Sequence, residues 1–476
     1  MSGTAISRRE AMRLLALSAG TAALAACGAT PTPQVVEKVV EREVTKIVEG
    51  TPQVVKETVV VEKVVTVEGP VAEQITVKVS GWGDVLGKTE LLEQTFFTSF
   101  KEAYPNVTIQ YEPAPWNEYW TKLHAMAASG DIYDLFAMSV AYGWDFANKK
   151  ITLNLQPYID TEINTDEYFM EMELNCHRYP NMQTGDLYAF PIRWVGASLF
   201  YNVDMFDEVG LAYPDDKWTY DDMLTAAQAL TKVSGDKTER WGMMAPAGHV
   251  ALDAMIKANG GEVVSKDYRK CMLTEPAAVE SIQWAVDCIQ KHNVAPTPAA
   301  AAGFAEGTFA SKVVGMVIDG SYMMNPWEQA EFNWDVSWIP NGKVSRVMYG
   351  GPDSLSIARL TKAREAAWAL LKHWVSEEQQ MIMDIFPPGS VPFLRKAAYS
   401  DKWLGRGNMP KGAKTVLDMA PVLRGADFGS QWMEWRVTIM NQELDLAYLG
   451  ERSVEESVQA ACAGIDQVLA NIEWPV

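Results

Sequence analysis

The sequence predicts an α/β fold built on a parallel sheet, and three observations between residues 75 and 138 predict it. Two short runs alternate apolar and polar residues, Ile75-Thr76-Val77-Lys78-Val79-Ser80 and Val107-Thr108-Ile109-Gln110-Tyr111, which is the period of a half-buried strand. Helical stretches follow each of them, Leu91 to Tyr104 stopped by Pro105 and Trp116 to Ala128 stopped by Gly130. A third strand, Asp134-Leu135-Phe136-Ala137-Met138, completes the pattern. Strands joined through helices lie parallel, with the helices on the sheet faces. Ligands on such sheets sit beyond the carboxyl ends of the strands, so Gly81–Asp84 and Met138–Tyr142 fall at a binding edge.

The segments before that sheet are of a different kind. Ser7-Arg8-Arg9-Glu10-Ala11-Met12-Arg13 is basic, and the run Leu14 to Ala26 is apolar or small. Such a run is too short to span a bilayer core, which takes about 20 residues, but it suits a signal peptide over residues 1–26. Leu24-Ala25-Ala26-Cys27 resembles a bacterial lipobox, which makes Cys27 the expected lipidation site and start of the mature chain. The arginine pair resembles a twin-arginine export signal, with Ala11 where a Phe is usual. Residues 27–73 are compositionally simple: Thr32-Pro33-Gln34-Val35-Val36 recurs as Thr51-Pro52-Gln53-Val54-Val55. We read a spacer between the anchor and a binding domain, with a short dimerising coiled coil as the rival, since valine pairs four apart could also form a helical stripe.

The chain has 476 residues and a formal net charge of −20. Such an acidic chain repels phosphate backbones and excludes nucleic acid as a natural partner. Beyond Cys27 the cysteines are Cys176, Cys271, Cys288 and Cys462, with no C-x-x-C pair to suggest a metal or redox site. In an oxidising compartment Cys271 and Cys288 could pair, or the thiols could stay free and buried.

Four blocks, in order, resemble one family. They are Phe100-Lys101-Glu102-Ala103-Tyr104-Pro105-Asn106-Val107 with Tyr119–Leu123 and Ala128–Asp131; Gly185–Pro191 followed by Leu199–Phe206; Phe309 with Gly315–Gly320; and Gly350-Gly351 leading through Ala363–Gln380 to Val391-Pro392. The chain from residue 74 onward is identified on these as a member of the bacterial extracellular solute-binding proteins, sugar-binding class. The resemblance implies a two-lobed periplasmic-binding-protein-like fold (type II), each lobe a mixed, mostly parallel sheet flanked by helices. It places lobe 1 in 74–194 with 353–398, and lobe 2 in 195–352 with 399–476, with the chain crossing near Trp194, Gly351–Pro352 and Tyr399. It further implies a monomer that binds a carbohydrate by hinge closure, without metal or cofactor, and delivers it to the permease of an ABC importer. Its place would be the outer face of the cytoplasmic membrane, held there by the lipid.

A sugar presents apolar C–H faces and a rim of hydroxyls, so aromatic rings and a few polar groups should hold it. Trp82 and Asp84 follow the first strand, and Tyr142 and Trp144 follow the third. Trp116 and Asn117 sit before a helix where the family contacts ligand. Arg193 and Trp194 lie at the first crossing; Val195 stands where maltose-type proteins carry an acidic hinge residue. Gly351 and Asp353 lie at the second. The resemblance adds His249 in a cleft-facing loop, Tyr322 at the place of a stacking aromatic, and Trp432 and Trp435 near the last helices.

Two rival classes have their own requirements. A glycan-degrading enzyme needs a pair of carboxylates across a scissile bond, and Asp221-Asp222 after Trp218-Thr219 reads instead as a helix start. There is no H-E-x-x-H helix, G-x-S-x-G elbow or phosphate loop. A polyamine carrier needs carboxylates in the cleft, for which Asp84, Asp145 and Asp353 are candidates. A glycerol-phosphate carrier needs cations there, for which Arg193 is the candidate.

Overall fold

The computed structural model describes residues 34–48, 51–65, 73–170, 177–180, 184–235, 237–304, 307–382, 387–407, 409–425 and 429–473. The leader, Cys27 and Cys176 lie outside the described residues. The chain separates into two compact units, residues 1–74 and 75–476.

In the first unit, β1 (Gln34–Val48) and β2 (Thr51–Val65) pair antiparallel, with Gln34 opposite Val65 and Val48 opposite Thr51. The repeat is therefore extended, which overturns the coiled-coil alternative. Valine is β-branched and stiff, fits a pleated strand and loses side-chain freedom in a helix.

The second unit begins with β3 (Ile75–Ser80), β4 (Val107–Tyr111) and β5 (Leu135–Ser139), where β3 pairs parallel with both neighbours. Short β6 (Arg178–Tyr179) and β7 (Asp186–Leu187) form a separate hairpin. The long β8 (Phe190–Asn202) follows, then a small pair, β9 (Lys232–Ser234) and β10 (Lys237–Arg240). The remaining strands are β11 (Met316–Gly320), β12 (Trp334–Ser337), β13 (Met348–Ile357), β14 (Val391–Pro392) and β15 (Leu423–Gly425). The main sheet has the order β11-β8-β13-β5-β3-β4, with β12 and β14 also on β8 and β15 on β13.

Two strands, β8 and β13, serve both ends of this sheet. Residues 190–196 of β8 pair with β13, two of them also with β14, while residues 197–202 pair with β11 and β12. The C-terminal half of β13, Asp353–Ile357, pairs with β5. The Arg364–Val375 helix then returns to the first end, where Trp374 packs 4.0 Å from Phe96, ring centre to ring centre. This is a two-lobed, mixed α/β fold. The β3–β4 and β3–β5 pairs are parallel because helices connect them, whereas β11 and β12 lie antiparallel on β8.

The second end is closed by helices. Tyr220–Leu230 starts at Thr219, whose hydroxyl accepts from the Asp222 N–H while the Asp222 carboxylate accepts from the Thr219 N–H. Asp222 is thus a capping residue. The last helix, Val454–Ala470, is tied in covalently: Cys462 is bonded to Cys271, 191 residues earlier. The expected alternatives for these thiols are corrected here. Cys288 is the buried free thiol, and Cys271 pairs with Cys462, because the terminal helix packs beside it. Among the described residues no helix is long and apolar enough to cross a membrane.

Candidate functional site

A cleft of about 500 Å³ lies at the carboxyl ends of β3 and β5 and over the shared strands β8 and β13. Its floor is made possible by glycine. Gly350 stands opposite Gly196, and a Cβ on Gly350 would sit 2.2 Å from the Val195 carbonyl oxygen. A Cβ on Gly196 would meet the Met348 sulfur at 2.4 Å. A side chain on Gly350 would push the strands apart, so this part of the floor is backbone.

Alternation along β8 then sorts its side chains: Arg193 and Val195 line the cleft, and Trp194 between them faces the core against Phe169 at 5.8 Å. Asp353 stands directly opposite Arg193, and Arg193 Nε donates to Asp353 Oδ2 at 2.9 Å. The register shifts between Asp353 and Ser354, the kind of bulge that re-aims a side chain. Burial raises the Asp353 carboxyl, and the neighbouring guanidinium opposes that rise. Arg193 Nη1 is buried and has no hydrogen-bond partner among the described residues.

One wall comes from the β3–β5 end of the sheet. The turn after β3 is pinned by the Gly83 N–H donating to the Ala114 carbonyl at 2.8 Å. That brings Trp82 edge-on to Trp116, with ring centres 5.0 Å apart. Trp116 opens the Trp116–Ser129 helix and is 39% exposed, far more than a core tryptophan. Behind them Trp120 and Tyr142 stack at 4.0 Å. Ser139 caps the Val140–Asn148 helix by accepting from the Ala141 N–H, and Val140 and Ala141 complete this wall.

The opposite wall comes from the β11 end of the sheet and the segments at His249 and Trp432. Tyr322 is 41% exposed; its ring lies over Gly320, where a Cβ would sit 2.0 Å from the ring, and its hydroxyl donates to Asp319 at 3.1 Å. Burial, then the Asp319 charge, raises the Tyr322 hydroxyl, and burial also raises Asp319 itself. His249 packs edge-on to Trp432 at 5.1 Å. Burial first, and then the Arg436 charge, lowers the His249 imidazole to about 4, so it is neutral at pH 7. His249 opens the segment His249–Asp253 and Trp432 caps Met433–Met440, and both segments are wide helical turns of the i→i+5 kind, which recur at functional sites. A buried ion pair locks them together, Arg436 Nη2 donating to Asp253 Oδ1 at 2.6 Å and Nε to Oδ2 at 2.9 Å.

The structure therefore brings together Trp82, Trp116, Arg193, His249, Tyr322, Gly351, Asp353 and Trp432. Six expected residues stand elsewhere. Asp84 is left exposed on the turn, and Asn117 is exposed because successive helical residues point about 100° apart. Tyr142 is turned onto Trp120, Trp144 is buried against Tyr179, Trp194 faces the core, and Trp435 is buried with its indole N–H donating to the Ser430 carbonyl. Ser139 lies within Met138–Tyr142, the stretch expected at the binding edge, whereas sequence reasoning missed Tyr349, Val250, Met433 and Val437. Tyr349 was within reach, since 349, 351 and 353 share a strand face; Met433 and Val437 had no signal beyond hydrophobicity.

Residues 84–381 match the family model described as bacterial extracellular solute-binding protein. A binding protein of Brucella abortus (strain 2308) is 25% identical over 393 residues, covering 79% of this chain and 90% of that protein. The fold is shared with an ABC substrate-binding protein of Listeria monocytogenes solved with cycloalternan (TM-score 0.73, 19% identity, 84% of this chain and 100% of that one). It is also shared with a sugar-binding protein of Xanthomonas citri (TM-score 0.71, 16% identity, 84% and 98%).

Proposed function

The chain belongs to the bacterial extracellular solute-binding protein family, and from that premise we propose that it captures a carbohydrate between its lobes and hands it to the permease of an ABC importer. The observation that carries this reading is the pairing of walls. Trp82 and Trp116 face the cleft from one lobe and Tyr322 from the other, above a floor whose charges, Arg193 and Asp353, neutralise each other. Rings suit the C–H faces of a pyranose, while Arg193 Nη1 and the Asp353 carboxylate suit its hydroxyls. A ligand touching both walls binds the closed arrangement more tightly than the open one and so drives closure.

The same inventory weighs against the rivals. A polyamine would need free carboxylates, yet Asp84 lies outside the cleft and Asp145 is engaged by Ser430 and Gln431. A phosphate ester would need uncompensated positive charge, and the Arg193 charge is balanced by Asp353. A glycosidase would need two carboxylates, and among the described lining residues Asp353 stands alone. The cycloalternan bound by the Listeria protein is itself a carbohydrate.

The lobes are taken as 74–194 with 353–398 and 195–352 with 399–476. The family is extracellular, so the protein is exported; lipid on Cys27 would hold the monomer at the membrane, and residues 27–73 would act as the spacer. The test is a thermal-shift screen of the mature chain against sugars, polyamines and phosphate esters. A ligand at a thousandfold over its Kd stabilises the folded state by about 4 kcal/mol. A rise with one sugar series supports the reading; a rise with polyamines or phosphate esters alone overturns the carbohydrate assignment.

A further inference from the structure

The cleft is polar at one end and apolar along the rest of its length. At the polar end Asp353 stands opposite Ser139 on β5 and is ion-paired with Arg193, close enough for its charge to act on the Tyr322 hydroxyl. Trp82 and Trp116 stand on the same side, since Trp82 continues β3, the neighbour of β5. From Asp353 the floor runs along β13 through Gly351 to Tyr349. These three alternate onto one strand face, so Tyr349 lies about 13 Å beyond Asp353 at about 3.3 Å per residue.

The surface around that far end is carbon and sulfur. His249 sits 6.0 Å from Tyr349 and 5.1 Å from Trp432, ring centre to ring centre, which sets the His249–Asp253 and Met433–Met440 turns beside it. Those turns present Val250, Met433 and Val437 to the cleft, each only partly buried. Met433 and Val437 are four apart and share a face of their turn. Midway along the floor Val195, opposite Gly351, is the one residue of β8 that is not buried. The Tyr349 hydroxyl and the Trp432 indole N–H are themselves buried, so among the described lining residues the neutral His249 imidazole is the polar side chain left to face a ligand there.

An unsubstituted oligosaccharide fits this division poorly. Its hydroxyls ring every unit, and those carried past Gly351 would lose water against aliphatic side chains without acquiring partners. An apolar group gains from the same burial, and the thioether of Met433 adapts to a flat or a branched one. We infer that the ligand is amphipathic: a neutral glycoside whose sugar is held at the Arg193–Asp353 end and whose aryl or alkyl aglycone lies against Val250, Met433 and Val437. The inference rests on the carbohydrate reading of the polar end and narrows it to one class of sugar derivative.

The test titrates the mature chain, wild type and the double variant Met433→Gln with Val437→Thr, by calorimetry. The probes are the methyl, hexyl and para-nitrophenyl glycosides of glucose, galactose, mannose, xylose and maltose, in both anomers. The neutral apolar dye Nile red is titrated alongside by fluorescence. Both substitutions keep side-chain size at partly exposed positions, and a cooperative thermal transition checks that the double variant is folded. In the wild type the hexyl or nitrophenyl glycoside of at least one sugar should bind about tenfold more tightly than its methyl glycoside, and the double variant should bring that ratio to about one. Glycosides that bind equally whatever the aglycone, or a ratio the double variant leaves unchanged, overturn the inference while the carbohydrate reading stands. If no glycoside binds but Nile red binds the wild type and not the double variant, the apolar end stands and the carbohydrate reading fails. Binding of neither overturns the inference.

Discussion

Arg193 and Asp353 face each other across β8 and β13 at the floor of the cleft, Nε 2.9 Å from Oδ2, with side chains 7% and 17% exposed. Breaking such a pair leaves one charge buried without compensation, which costs more than the pair contributes. Arg193→Met should lower stability by about 3 kcal/mol in urea titration. Adding Asp353→Leu to it should restore part of that loss. A double variant less stable than the single would show that the two residues do not act as a pair.

His249 makes acid stability a readout of the cleft. Its folded value of about 4 lies below the ordinary 6.5. Between these values the unfolded chain holds the proton and the folded chain does not, so stability is full above pH 6.5 and is lost as the pH falls towards 4. The loss reaches roughly 3 kcal/mol at complete titration. His177, lowered to about 3 by burial, acts with the same sign. His249→Gln should therefore lose less stability than the wild type between pH 7 and pH 4.5, measured by thermal midpoints at both. Parallel pH profiles would remove His249 from this account.

Trp116 separates binding from folding. It is 39% exposed, and its neighbour Trp82 packs against Tyr119 and Trp120 as well. Trp116→Ala should leave the midpoint within about 0.5 kcal/mol of the wild type. It should weaken binding of the selected sugar by about 1–2 kcal/mol, roughly 5–30-fold in Kd by titration calorimetry. Unchanged affinity would mean that the ring stands outside the bound sugar's reach.

The Cys271–Cys462 bond closes a loop of 191 residues. Restricting so long a loop in the unfolded chain gives an expected contribution of about 2–5 kcal/mol. Cys462→Ser should show that loss in urea, and dithiothreitol should bring the wild type to the same value. A wild type indifferent to reductant would mean that the last helix is held by packing alone.

Local pattern was enough for the first sheet, because alternation and helix stops are properties of neighbours in the chain. β3 and β4 carry the residues their periodicity assigned, and Gly130 ends the Trp116–Ser129 helix in a left-handed turn. The family was legible because four blocks keep one order. Cleft residues on strand ends and at the two crossings, such as Trp82, Arg193 and Asp353, could be named from position along the chain. Which face each side chain took could not. Trp194 differs from Arg193 by one residue, and Asn117 from Trp116 by one, and each pair is divided by what packs behind it. The Cys271–Cys462 partnership, the Arg436–Asp253 lock and the Asp145 contact with Gln431 join residues 183 to 286 positions apart. Such contacts leave no local periodicity to read: they arise when burial brings distant segments together, and only the tertiary structure decides them.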